Sequence, residues 1–405
     1  MDELLMFPGE ELDFDGGQGA QVEKASHDEI DAKYVAGEVR IVSEQARYPL
    51  VSIPPMLASG SYLLRPEFQR RHRWDTAKQS RLIESLIMNV PIPPVFLYED
   101  TYSHYEVMDG LQRLTTICNF YSDSFELEGL EEWPELNGMK YSELPGQVKR
   151  GIDRRYISSV ILLQETAKDP AEAARMKQLV FERLNSGGIK LEPQEARNAI
   201  YPGPLNELCI HLARNKFLCR MWGIPESMSD TEDELDTNLP TELLENESYR
   251  KMEDVELVLR FFAYRQRMTS QKGALGSYLD RYLKYGNSYA PNVLAEFKNL
   301  FEQTAELVYN VIGERAFWLW RKRATGWSWY SRPTTVLYDP IMFAFSQHLQ
   351  YADELLERKN AIQEDLPVFY EKNYGSLEGR YTNLSNIAER NKLFVSFLRH
   401  HLGIE

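Results

Sequence analysis

The chain has 405 residues, 43% hydrophobic and 26% charged, so it carries enough apolar material for a core and is not globally disordered. Three scattered cysteines (Cys118, Cys209, Cys219) exclude a disulfide framework or a zinc knuckle, and no apolar run is long enough to span a bilayer. The net charge of −15 is uneven: residues 1–35 carry −8 and residues 226–247 carry −9, leaving the rest near +2, so nucleic acid is not excluded as a partner.

The start, Met1 to Pro8, lacks the basic and apolar regions of a signal peptide, and a cytoplasmic protein without membrane contact is expected. Residues 1–35, with Gly16, Gly17 and Gly19, read as an acidic flexible tail. A mixed pattern follows. Arg81 to Met88 is an amphipathic helix stopped by Pro91, Pro93 and Pro94. Val95–Tyr98 and His104–Met108 are strands, and a helix runs from about Gln112 to Tyr121. Ser159–Leu163 is a third strand, and Ala171–Leu184 a helix broken at Asn185-Ser186-Gly187-Gly188. A further helix starts at Pro193. The second acidic stretch reads as an exposed loop. Beyond residue 250 apolar residues recur every three or four positions, as in Val293, Leu294, Phe297, Leu300 and Phe301, and the pattern is that of bundle helices.

Three segments carry polar chemistry. In Tyr105-Glu106-Val107-Met108-Asp109-Gly110-Leu111-Gln112-Arg113 a strand runs through a glycine turn into a helix. Helix N-termini expose unpaired N–H groups and partial positive charge, which suits a phosphate, and Gln112 and Arg113 add donors. Asp109 suits a helix cap or a divalent cation; the same spacing also fits a capped helix with a surface arginine. Residues 65–81 hold six bases, including Arg65, Arg70, Arg71 and Arg73, beside Gln69 and Trp74; the density suits phosphates, or simply a solvated face. Phe181-Glu182-Arg183-Leu184-Asn185-Ser186-Gly187-Gly188 can form an anion-binding concavity or a plain helix C-cap.

In this order the three segments resemble the motifs of the domain-of-unknown-function-262 family, over roughly residues 40–200: Gln69, Arg70 and Trp74; then Asp109, Gly110, Gln112 and Arg113; then Phe181, Arg183, Leu184, Asn185, Gly187, Gly188 and Glu195. The resemblance implies an α+β protein: a ParB/sulfiredoxin-like nucleotide-binding domain at 36–201, a connecting segment at 202–249 and an all-helical domain at 250–405. It implies the nucleotide-binding half of type IV restriction and phage-defence systems. Asp109, Gln112 and Arg113 would be catalytic, with Asp109 on Mg2+. Arg65, Gln69, Arg70, Gly110, Asn185, Gly187 and Gly188 would hold a nucleoside triphosphate whose base the sequence does not name.

Two departures follow. The family has a glutamine where this chain has Leu111, and Leu111 is expected to lie over the site and slow hydrolysis, leaving either a Mg-dependent triphosphatase or a catalytically silent module that binds DNA or recruits a partner. No clustered His/Asn/His signature of an HNH nuclease is present, so DNA cleavage is expected from a separate nuclease or effector protein; homo-oligomer formation stays open. A last segment, residues 315–332, combines four of the seven tryptophans with five bases and no acids. Arg321, Lys322, Arg323, Trp327 and Trp329 make it the nucleic-acid candidate, against an aromatic core whose arginines reach water.

Overall fold

The structure is a computed structural model, and it describes residues 6–12, 26, 31, 43–64, 74–163, 176–177, 179–181, 183, 192–226, 240–270, 274–324, 326–377 and 384–404. The chain divides into two compact units, residues 18–191 and residues 1–17 with 192–405. The α+β expectation holds: a mixed sheet lies in the first unit and helices dominate the second. Among the described residues no helix is long and apolar enough to cross a membrane.

The sheet unit contains β1 (Ser43–Pro49), α1 (Ile53–Ala58), β2 (Tyr62–Leu63), α2 (Thr76–Ile87), β3 (Val95–Thr101), β4 (His104–Asp109), α3 (Leu111–Tyr121), α4 (Gly146–Asp153) and β5 (Tyr156–Leu162). The strands form one sheet in the order β1-β5-β3-β4-β2. β1/β5 and β3/β4 are antiparallel, β3/β5 and β2/β4 parallel. Period-two alternation sends Val95, Leu97, Val107, Ile157 and Ile161 to one face, where they meet Ile83, Leu114, Ile117 and Phe120 from α2 and α3. The other face carries Tyr98 and Glu106, which pair across β3 and β4. Lys177 reaches this face: its Nζ lies 2.5 Å from Glu106 Oε2 and 5.5 Å from the Tyr98 ring centre.

Loop anchoring here depends on two polar side chains buried on α2. The Glu84 carboxylate accepts the N–H groups of Glu132 and Trp133 at 2.9 and 3.0 Å, and Ser80 Oγ accepts that of Glu128 at 3.0 Å. They bind backbone donors that the irregular chain between α3 and α4 does not pair in a helix or a strand.

The second unit contains α5 (Pro193–Ile200), α6 (Pro204–Leu212), α7 (Lys216–Trp222), α8 (Thr241–Glu245), α9 (Glu247–Arg250), α10 (Glu253–Ser270), α11 (Leu275–Gly286) and α12 (Pro291–Ile312). After these come β6 (Trp318–Arg323), β7 (Gly326–Pro333), α13 (Thr335–Ser346), α14 (Ala352–Glu357), α15 (Lys359–Lys372), α16 (Tyr374–Leu377) and α17 (Leu384–Leu402). Its core joins Leu205, Val258, Phe262, Tyr282, Phe297, Phe301, Tyr338 and Phe394, all essentially inaccessible. Helices make up residues 250–405 as expected, and a two-stranded hairpin, β6–β7, is set among them. The physical reason is alternation: Trp318 and Trp320 on one strand and Trp327 and Trp329 on the other are spaced by two, a strand period carried by aromatic residues.

Part of the stretch read from composition as a flexible tail is docked; most of the rest lies outside the described residues. Residues 6–12 dock onto the helical unit. Glu10 is fully buried and takes Arg265 through two bonds, Nε to Oε1 at 2.6 Å and Nη2 to Oε2 at 3.0 Å. Tyr289 Oη donates to the Glu10 carbonyl at 2.7 Å, Gln266 Nε2 donates to the same oxygen, and Phe7 packs on Phe297. A bidentate guanidinium–carboxylate pair is the arrangement that best offsets the desolvation of both charges. Removing the carboxylate takes from the buried guanidinium its bidentate partner, so Glu10→Ala is expected to destabilise the helical unit by about 3 kcal/mol or more. Denaturant unfolding measures the loss, and faster proteolysis at residues 6–12 reports release of the segment.

Candidate functional site

Direction of chain places the β4–α3 turn and the described flanks of the basic segment at one end of the sheet. β4 ends at Asp109; β2 runs parallel to it, so Leu64 leaves β2 toward that same end. β3 is antiparallel and starts there, with Phe96 opposite Asp109, which brings in Pro93 and Pro94. The basic segment itself, with Arg65, Gln69 and Arg70, lies outside the described residues, as do Asn185, Gly187 and Gly188. Its flanks are fixed. Tyr62 stacks on Tyr105 at 5.1 Å before it, and the Trp74 N–H donates to Gln112 Oε1 at 3.3 Å after it. Gln112 in the first turn of α3 therefore ties down the exit of the basic segment.

Gly110 makes the turn between β4 and α3 with φ +96°, and a Cβ there would lie 2.5 Å from Val95 Cγ1. Left-handed backbone and the absence of space both demand glycine. The first turn of α3 carries no acidic side chain, and no side chain caps it. Its leading N–H groups therefore point out of the helix end with the positive end of the helix dipole.

Arg113 is turned inward. Its Nη2 meets Asp109 Oδ2 at 2.7 Å, and its Nη1 donates to the carbonyls of Pro93 and of Pro94, the latter at 3.2 Å. The guanidinium is only 11% exposed, whereas the Asp109 side chain is 53% exposed. Burial lowers the arginine from its usual value and the Asp109 charge opposes that shift; an arginine stays charged regardless. The fork ties the end of β4 to the loop entering β3, and Asp109 keeps a solvent-facing carboxylate edge.

Leu111 corrects the expectation that it covers the site. It is 8% exposed and belongs to the core with Leu114, Ile117 and Val107. The first residue of α3 shares a face with residues three and six positions on, and that face packs on the sheet. The Phe-x-Arg motif divides likewise, Phe181 buried and Arg183 exposed. Sequence reasoning missed the Glu106–Lys177 pair; its one signal was a carboxylate on the second face of an otherwise apolar strand. Among the described residues no group of three or more His, Cys, Asp or Glu could hold a metal.

The tryptophan-rich hairpin separates into two faces. Trp320 Nε1 donates to Glu371 Oε1 at 2.9 Å, while Trp329 meets Tyr370 and Trp327 meets Tyr374, edge to face, at 6.1 and 5.2 Å. These indoles pack on α15 and α16. Arg321 lies on the other face with Tyr330 and Arg332, while Lys322 and Arg323 are exposed towards the turn. Arg321, Tyr330 and Arg332 thus share one face, while Lys322 pairs opposite Trp327 on the tryptophan face.

Residues 55–202 match the family model described as GmrSD restriction endonuclease, N-terminal domain. No curated protein and no solved structure matches the chain. The match supports a restriction or phage-defence N-terminal domain in this region, and it spans the α3 turn and both flanking motifs.

Two substitutions probe the turn. Gly110→Ala combines a left-handed backbone with a clash against Val95 and is expected to destabilise the sheet unit by about 2 kcal/mol or more. Leu111→Gln, which would favour turnover if Leu111 lay over the site, instead buries an amide, with an expected loss of about 1–3 kcal/mol. Thermal unfolding of both variants against wild type gives the readout; a fully stable Leu111→Gln protein would place this side chain outside the core.

Proposed function

We propose that the sheet unit is a nucleoside-triphosphate-binding module whose occupancy gates a DNA-directed restriction or phage-defence response. One observation carries the reading: an uncapped α3 N-terminus, entered through a glycine that no other residue can replace, to which Gln112 tethers the exit of the most basic segment of the chain. Oriented N–H groups and nearby cations are what a polyphosphate needs. In this reading Arg65, Gln69 and Arg70 meet the outer phosphates, Gln112 orients the segment, and Asn185, Gly187 and Gly188 close the other side. Mg2+ arrives with the triphosphate. A single half-exposed carboxylate, Asp109, suits an ion that keeps most of its ligands as phosphate oxygens and water. The Asp109 charge is partly answered by Arg113, so this carboxylate accepts a metal without bringing a full unpaired charge to the phosphates.

A second reading has its own support. The Arg113 fork is spent on Asp109 and two proline carbonyls, so it does not reach a transferring phosphoryl group without breaking those bonds. That favours a module that binds nucleotide and signals to a separate nuclease or effector without turnover.

Calorimetry with each Mg–nucleoside triphosphate, paired with phosphate release, separates the readings. Wild type is expected to bind at least one triphosphate, and Gln112→Ala to weaken it about tenfold, the scale of a lost hydrogen bond in a charged site. Asp109→Asn is expected to remove the Mg2+ dependence. Binding without phosphate release selects the silent module; absence of binding to every triphosphate overturns the proposal.

A further inference from the structure

The helical unit holds a polar cavity of about 960 Å3, bounded by the inner face of the β6–β7 hairpin, the start of α13 and the N-terminal parts of α5, α9 and α10. Its walls differ in sign. On the hairpin side Arg321 and Arg332 flank Tyr330, with guanidinium carbons 5.9 and 5.2 Å from the ring centre. Beside them the first turn of α13 carries no acid, and its N-cap, Thr334, does not cap it: the Thr334 hydroxyl donates away, to the Phe317 carbonyl at 3.5 Å. The facing wall presents Glu192, Glu253 and Glu256.

The remaining lining charges are matched within the protein. Lys251 pairs with Glu247 at 2.6 Å, Glu256 with Arg197 at 2.7 Å, and Arg260 with Asp339 at the floor. Among the described residues no carboxylate lies within ion-pair distance of Arg321 or Arg332, although Glu247, whose pKa is lowered first by its bond to Lys251, also feels the Arg332 charge. Two guanidiniums without a close carboxylate partner and a helix start at one end, carboxylates at the other, and Trp222, Leu257 and Leu319 among the lining make a dipolar site with apolar patches. An inorganic anion would use only the hairpin wall. A molecule with an anionic end, a flat ring and N–H donors uses all of it, and the volume is in the range of small-molecule sites.

We propose that this cavity binds a nucleotide, with its phosphate on Arg321, Arg332 and the first turn of α13, and its base donating toward Glu192 and Glu253. The nucleotide is either free or an unpaired residue of a strand, since both offer the same phosphate and ring. The site is distinct from the α3 turn and does not rest on the reading of the sheet unit.

The test uses the full chain. Quenching of tryptophan emission, to which Trp222 in the lining contributes, and calorimetry follow binding of the four nucleoside 5′-monophosphates, a short single-stranded oligonucleotide and inorganic phosphate. Arg321→Glu and Arg332→Glu lie at exposed strand positions and are expected to fold. Each is expected to weaken binding by at least about tenfold, as a charge-assisted bond is replaced by repulsion. Monophosphate binding lost in both variants assigns a free nucleotide; oligonucleotide binding alone, lost in both, assigns a strand. Failure of every probe to bind, binding indifferent to both charge reversals, or inorganic phosphate competing as well as a monophosphate overturns the proposal.

Discussion

One guanidinium sets the geometry on which the candidate site depends. Arg113 reaches from the first turn of α3 to Asp109 at the end of β4 and to the carbonyls of Pro93 and Pro94 at the entry to β3. Proline-rich loops leave carbonyls that no strand ladder satisfies, and a planar fork with several donors can meet two of them and a carboxylate together. With Val95 beneath Gly110, this fixes where α3 begins. The open helix end and the Gln112 tether follow from that placement. The arginine that motif logic assigns to a ligand thus builds the frame, and the backbone of α3 presents the donors.

Much of the sheet unit was legible because its signals are local. Strand alternation in Val95–Tyr98 and His104–Met108, the proline stop after α2 and the glycine before α3 each reflect a constraint acting within a few residues. The direction of the Arg113 fork was not legible, since its acceptors are carbonyls twenty residues away that carry no side-chain identity. Leu111 was misread because a motif position was weighed above the spacing of Leu111, Leu114 and Ile117, which assigns it to the core. The hairpin at 318–333 was hidden by its surroundings: helical patterns on both sides outweighed a short tryptophan alternation.

The helical unit organises its interior around charge pairs as well as apolar packing. Arg197 joins Glu256, Asp280 and Gln194, and Arg260 joins Asp339 and Tyr264. Both arginines are buried, and both sit on helices that border the cavity. Desolvated pairs of this kind contribute little net stability but penalise any arrangement in which a partner is missing, so they favour one relative placement of α5, α10, α11 and α13. A cavity edged by such pairs keeps its shape without a ligand to hold it open.

The docked segment at residues 6–12 also makes the helical unit discontinuous in sequence, with the sheet unit inserted between its two parts. A fragment beginning at residue 192 would enclose the Arg265 guanidinium without its bidentate carboxylate and leave the Phe7 contact on Phe297 unfilled. For such a fragment the first dozen residues amount to a missing ligand, and a synthetic peptide bearing Phe7 and Glu10 would complement it in trans. The covalent chain then supplies effective concentration, keeping at hand a peptide whose side-chain recognition centres on one carboxylate and one aromatic ring.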